Sequence, residues 1–390
     1  MESTFYAGNR QRLAAMMEND SLLIVFSGEE VRKTNDEFYP FFAHRSFVYL
    51  TGIEQKQSIL VIEKNTSGDV TERIYLLPSD LMAERWTGRR LTADEAFALS
   101  GCADVRPVTA FENDLRTRLA GGHYSAQVAP PRRVYLDLYK AAYTDRDTPA
   151  HQFLDCLKKN HPYVAVGNAD LLIRRLRLIK QPCEIAALRE AERITGEGII
   201  AMMKASRPGL YEYQYKAAFD HALGQYGPEQ HGFPPIISAG RNNFCIHYYA
   251  YTGRAEDGDM ILNDVGAQWD HMTADVSRGF PCNGHFSARQ RLLYSCMLAT
   301  SDHMFSIVRP GMKMSFIDQE IKRFCGEKLV EAGALAPDEP VTRLMWHGGS
   351  HHIGFDVHDV VDTPELIAPG MCFCIDVGVY HEEWGIGFRL

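Results

Sequence analysis

Two short motifs recur in the second half of this chain, in the same order. Ser206-Arg207-Pro208-Gly209-Leu210 returns as Val308-Arg309-Pro310-Gly311-Met312, 102 positions on. Asp264-Val265-Gly266 returns as Asp376-Val377-Gly378, 112 positions on. Each Arg-Pro-Gly stands between two helical patterns, and each Asp-Val-Gly ends an apolar run of strand type, within Asp259–Gly266 and Gly370–Gly378. One short match is chance. Two ordered matches at nearly equal offset imply duplicated halves. The spacing therefore predicts a pseudo-two-fold α+β domain in which equivalent positions of the halves meet at a central cleft.

The repeat leaves the first part of a 390-residue chain free for a second domain. There, strand-like runs (Ser21–Phe26, Ser58–Ile62, Arg73–Leu77, Arg133–Asp137) alternate with helical patterns near Ala93–Leu99 and His151–Lys159, which predicts an α/β domain. The pattern changes around His161–Asn168, so the boundary is placed near residue 165: an amino-terminal domain over 1–165 and a catalytic domain over 166–390. A helix over 170–178 carries Arg174, Arg175 and Arg177, with Lys180 just beyond. Basic residues in a last turn suit the helix dipole and need no ligand. Pro182 then opens a long amphipathic helix to about Ala205.

Composition narrows the function. Hydrophobic residues are 45% and charged residues 23%, the mix of a soluble globular protein. The net charge of -9 argues against a nucleic-acid partner, which needs a basic face. Met1-Glu2-Ser3-Thr4 is polar with no apolar run after it, so no signal peptide is read, and the longest apolar runs are too short to span a membrane. Nine cysteines lie scattered without a CxxC pair, which fits reduced thiols in a cytoplasmic protein. Cys372 and Cys374 alternate along a predicted strand and so share a face.

The chemistry gathers on carboxylates and histidines. Singly, Asp264 or Asp376 reads as a capping or turn residue. As a repeated pair across one cleft they repel, and both ionise only with a cation between them. Asp275 lies eleven positions after Asp264, and Ala267–Ala274 is long enough for a tight turn that brings Thr273–Ser277 back beside Asn263–Ala267. Asp270, in the turn, reads as solvated. Four histidines fall in twelve positions, His347, His351, His352 and His358, among glycines that let a backbone approach closely. His247 precedes His351 by 104 positions, near the repeat offset, and reads as its pseudo-symmetric counterpart. Arg389 closes the chain on a final strand. A donor set dominated by oxygen suits Mn²⁺ or Mg²⁺ better than a structural zinc.

Asp264, Asp275 at plus eleven and the His347–Asp359 block together resemble the aminopeptidase P / prolidase / creatinase group of "pita-bread" metallopeptidases. Phe47-Val48-Tyr49-Leu50-Thr51-Gly52 resembles that group's amino-terminal domain, and Ile179–Ile185 resembles the start of its catalytic domain. The resemblance implies an Xaa-Pro aminopeptidase with two divalent ions, most simply Mn²⁺, held by Asp264, Asp275, His351 and Asp376. It implies that His247 and His358 contact the substrate or stabilise the tetrahedral intermediate, and that Arg389 orders the site. In that reaction a bridging hydroxide attacks the carbonyl and a bridging carboxylate, Asp376 here, manages the proton. It further implies peptide substrates with proline second, and a homo-oligomer, dimer or tetramer. The sequence departs from the group's pattern in places. Asp376 stands where the group has glutamate, followed by Val377-Gly378 for Pro-Gly. Gly349 replaces an apolar residue, and Ser46 an aspartate. The group's last ligand, a glutamate after the final arginine, is not in a chain that stops at Leu390, which is expected to be a truncated form. The alternatives are an Xaa-Pro dipeptidase (prolidase) and a non-catalytic peptide-binding module on the same scaffold.

Overall fold

Runs of apolar and β-branched residues in the first part of the chain become one six-stranded mixed sheet: β1 (Ser21–Phe26), β2 (Ile59–Lys64), β3 (Val70–Leu76), β4 (Val105–Pro107), β5 (Arg133–Leu136) and β6 (Ala165–Asn168). The spatial order is β4-β3-β2-β1-β5-β6. β2 is antiparallel to both β1 and β3, and the remaining pairs are parallel. Helices α1 (Ser3–Met16), α2 (Arg45–Thr51), α3 (Leu81–Thr87), α4 (Ala93–Ser100), α5 (Phe111–Ala120) and α6 (Pro149–Asn160) complete the unit. Every residue of α2 is buried, and the helix stops at Gly52 in the left-handed conformation. The computed structural model describes residues 1–120, 130–227, 231–362 and 366–390. It divides into two units, Met1–Leu176 and Arg177–Leu390. The division falls inside α7 (Asp170–Leu178), later than the expected boundary near 165. The cause is β6, whose Ala165 pairs with Arg133 of β5 and carries the first sheet past that point.

The second unit shows the duplication directly. Each half has a helix pair: α8 (Pro182–Ala205) with α9 (Glu212–Leu223), then α10 (Ala288–Ile307) with α11 (Met314–Glu331). Pro182 does open α8, and the Gln181 backbone N–H is capped by Glu184 at 2.8 Å. Between the helices of each pair the two Arg-Pro-Gly glycines take the same left-handed turn, φ 91° at Gly209 and 90° at Gly311. Gly209 N–H donates to Ala255 at 2.7 Å, and Gly311 N–H to Ile367 at 2.8 Å. The return bonds, Ala255 to Leu210 and Ile367 to Met312, are both 2.8 Å. Ala255 and Ile367 are 112 positions apart, the Asp-Val-Gly offset.

Strand β8 (Met260–Val265) is the wall between the halves. It pairs with β7 (Ile236–Ala239) on one side, and with β11 (Val276–Ser277) and β12 (Phe280–Pro281) on the other. Successive side chains of a strand face opposite ways. Ile261 and Val265 enter a core built from the first half, whereas Met260 and Leu262 enter a core built mostly from the second. Asp264 shares the face of Met260 and Leu262 and so points toward the second half. The chain then turns through β9 (Gln268–Trp269) and β10 (Met272–Thr273). Register sets Ser277 opposite Asp264, so Asp275, two residues earlier, lies on the same face. This return is the one expected from the Asp264–Asp275 spacing. It needs Gly266, because a Cβ there would lie 1.7 Å from the Ala274 carbonyl oxygen.

The second copy differs in detail. Residues 371–377 are extended but form no regular strand, and only Phe373 bridges, to His352. Cys374 N–H donates to His351 O at 3.0 Å, and Asp376 N–H to Gly349 O at 2.8 Å. The chain ends in the hairpin of β13 (Gly378–His381) and β14 (Ile386–Arg389). Among the described residues no helix is long and apolar enough to cross a membrane.

Candidate active site

The Asp275 carboxylate and the His351 imidazole are the centre of the site. Nδ1 of His351 lies 3.2 Å from the His352 carbonyl oxygen, which can only accept, so Nδ1 carries the hydrogen. That orients Nε2 toward Asp275 Oδ2, 3.1 Å away. A ring whose far N–H is held by a backbone carbonyl is fixed in the orientation in which the near nitrogen can take a metal shared with Asp275. The Cys374 thiol joins them: one donor atom each from Asp275, His351 and Cys374 all lie within 4.8 Å of one another.

Two further carboxylates adjoin this group. Asp264 is buried; its Oδ1 accepts from Ser277 Oγ at 2.8 Å and its Oδ2 from Arg389 Nη1 at 2.9 Å. Arg389 also donates to the Ile246 carbonyl at 2.5 Å, tying Asp264 to the backbone just before His247. Asp376 Oδ1 is buried with no hydrogen-bond partner, and its Oδ2 lies 3.6 Å from His347 Nδ1. Burial pushes the Asp376 carboxyl up to about 6; His347 and Arg389 oppose the rise, and Asp264 and Asp275 add to it. Burial also raises Asp275, with Asp264 contributing and His351 opposing. Carboxylates that raise one another in a buried site, one of them with an orphaned oxygen, form a donor set that fits divalent cations.

The imidazoles divide by role. Burial works against charge on His351, but hydrogen bonds to Asp275 and Cys374 outweigh it and, with no ion at the site, push the ring up to about 11; a metal at Nε2 would take the place of that proton. His358 is exposed, its ring 4.2 Å from that of His351 and edge-on to it. Partial burial, then the nearby His351 and His247, hold it below the usual histidine range, which favours the neutral ring near pH 7. His247 is exposed and stacks on Tyr249 at 6.3 Å.

A buried ion network fixes the histidine loop. Asp359 accepts from Arg177 Nη2 at 2.5 Å and from Lys180 Nζ at 2.9 Å, and Asp356 accepts from Arg177 at 2.7 Å. The basic run after residue 174 thus does more than favour a helix dipole, because Arg177 and Lys180 anchor the loop that carries His351 and His358.

The structure brings Asp264, Asp275, His351 and Asp376 together, with Arg389 and His358 beside them and His247 next to His358. Sequence reasoning did not single out Cys374 or Glu192 as site groups. Cys374 was legible as the residue two before Asp376, on the same face of an extended segment. Glu192 sits on α8 against Asp275 and lines a cavity of about 210 Å³ with Asp275, Cys374 and Asp376. Burial pushes its carboxyl up to about 7; the Asp275 backbone opposes the rise and the Asp275 charge adds to it. No spacing rule could have found a helical glutamate 83 positions from its neighbour.

Residues 186–390, just over half of the chain, match metallopeptidase family M24. The chain belongs to that family. Residues 6–126 match the amino-terminal domain of aminopeptidase P. The Xaa-Pro aminopeptidase of Escherichia coli is 28% identical, over 98% of this chain and 89% of its own length. A provisionally assigned aminopeptidase P from Bacillus anthracis superposes with a TM-score of 0.94 at 31% identity, covering all of this chain and 91% of its own. Escherichia coli aminopeptidase P, solved with the inhibitor Pro-Leu and, zinc-substituted, with product, gives 0.88 at 26% and 27% identity, covering all of this chain and 92% of its own. The second unit therefore has the pita-bread fold of M24 enzymes, and the chain is by family a metal-dependent aminopeptidase built of two domains, not a binding module of another class.

Proposed function

We propose that the protein releases the amino-terminal residue of peptides whose second residue is proline, using two divalent ions, Mn²⁺ in the cell. The observation that carries this reading is the pairing of Asp275 with an oriented His351 Nε2 beside the mutually perturbing Asp264 and Asp376. Asp264, Asp275, His351 and Asp376 would hold the ions, which supply polarisation of the scissile carbonyl and activation of a water. Neutral His358 can donate a hydrogen bond to the carbonyl oxygen as negative charge develops there, with His247 next to it. Asp376, whose Oδ1 has no hydrogen-bond partner, is placed to take a proton from the attacking water and return it to the leaving amine. Arg389 neutralises Asp264 and holds it in place.

The relative solved with the inhibitor Pro-Leu supports peptide substrates; the dimer or tetramer rests on the family resemblance alone and is readable by sedimentation. All nine cysteines are free, which supports a reducing, cytoplasmic location. The test is release of the first residue from Xaa-Pro-Yaa tripeptides by Mn²⁺-loaded protein. Asp275→Asn should abolish it, and undiminished turnover in that variant would overturn the assignment. Cleavage confined to Xaa-Pro dipeptides would make the enzyme a prolidase instead.

A further inference from the structure

The second unit contains a donor set that a purely oxygen-and-imidazole reading does not use. Asp275, His351 and Cys374 form a three-donor group within 4.8 Å, and among the described residues no other such group occurs, so neither Asp264 nor Asp376 belongs to one. The thiol is held there by the backbone. Cys374 N–H donates to His351 O, Asp376 N–H donates to Gly349 O, and the Ser350 hydroxyl caps the Cys374 carbonyl at 2.7 Å. In an extended segment residues i and i+2 share a face, so the Sγ of Cys374 and the carboxylate of Asp376 are presented on the same side. The His351 backbone N–H approaches Sγ at 3.4 Å, which sets the sulfur against the same imidazole that faces Asp275.

We propose that Cys374 ligates one of the two ions as a thiolate. This rests on the metal-site reading given above. On binding, the thiol proton leaves to solvent and a sulfur–metal bond forms, with no change of oxidation state. Ligand distances of about 2.0–2.3 Å around such an ion are compatible with donors as close as these. The consequence is metal choice. Carboxylates alone suit Mn²⁺ and Mg²⁺, whereas an imidazole and a thiolate on the same ion favour Zn²⁺ and Co²⁺. The thiolate therefore raises this position's affinity for Zn²⁺ and Co²⁺ relative to Mn²⁺, more than at the position held by carboxylates.

The test is Co²⁺ titration of the full chain, read by absorption. A thiolate-to-cobalt charge-transfer band in the near ultraviolet, saturating with the first equivalent, is expected. It should be lost in Cys374→Ser and kept in Cys372→Ser. Cys374→Ser should also narrow the Co²⁺-over-Mn²⁺ affinity ratio by about 10-fold or more, the scale of changes next to a metal. A readout on the unaltered protein guards against a variant that fails to fold: Co²⁺ should protect Cys374 from alkylation while the exposed Cys156 reacts at an unchanged rate. Stoichiometric Co²⁺ binding with no thiolate band and no protection overturns the thiolate ligand and leaves the metallopeptidase reading intact. No Co²⁺ or Mn²⁺ binding at all overturns both.

Discussion

At Gly266 the first Asp-Val-Gly motif meets its own return strand so closely that a single methyl group has nowhere to go. The clash partner is a backbone oxygen of Ala274, which cannot rotate away as a side chain would. Gly266→Ala should therefore cost at least the upper end of the usual overpacking range, about 3 kcal/mol. Urea unfolding would show it, and an unchanged midpoint would contradict the register that aligns Asp264 with Ser277. Individual residues were legible in the sequence where a repeat or a short spacing exposed them. Asp264 and Asp376 were found by the repeat, Asp275 by its distance from Asp264 along a hairpin, and His351 by the density of histidines. Cys374 was read as a reduced thiol sharing a strand face with Cys372, and its place two residues before Asp376 was not used, because nothing local shows that residue 374 pairs with the segment before His352.

The loop from His351 to Asp359 has no regular structure of its own, and its position is set by Arg177 and Lys180 from the start of the second unit. Lys180 and Asp359 are almost wholly buried, so removing Lys180 leaves Asp359 with Arg177 alone and its second buried oxygen without its cation. Lys180→Met should destabilise the fold by about 3–5 kcal/mol. It should also weaken metal binding, because His351 stands on the same loop. The network has a pH signature. Burial opposes ionisation of Asp359, but Arg177 and Lys180 outweigh it and hold the carboxyl below its usual range. A depressed carboxylate contributes stability in full above its unfolded pKa, about 4. That contribution is lost as pH falls from there through the lower folded value. Melting curves between pH 6 and about 3 should fall steeply in the parent chain. They should fall less in Asp359→Asn, which starts from a lower midpoint. Equal slopes would mean that the pair carries no such linkage. The helices of this unit were legible as elements, from Pro182 and from the Arg-Pro-Gly turns. The second Asp-Val-Gly strand was not realised as a regular ladder, because residues 371–377 bond to the irregular 349–353 segment.

For the molecule as a whole, ions that bind only the folded state must stabilise it by mass action. Mn²⁺ at a hundredfold over its dissociation constant should add about 2.7 kcal/mol. Calorimetry should show a rise in melting midpoint that chelator reverses and that Asp275→Asn lacks; no rise in the parent chain would count against the carboxylates as ligands. Among the described residues, the first unit has a core of its own and the second has two. The point of division depended on β6, a short strand whose partner β5 lies about thirty residues earlier.

By itself the sequence determined what periodicity and repetition encode: an α/β first unit, a duplicated second one, and carboxylates at equivalent points of the two halves. Those signals are local or self-referential, so they survive in one dimension. The tertiary structure alone decided which groups share a volume. Cys374 and Glu192 beside Asp275, Arg389 on Asp264, and Lys180 beneath Asp359 are contacts across long stretches of chain. They arise from how β8, α8, the histidine loop and the final hairpin pack against one another, and the sequence spacing between these elements does not record that.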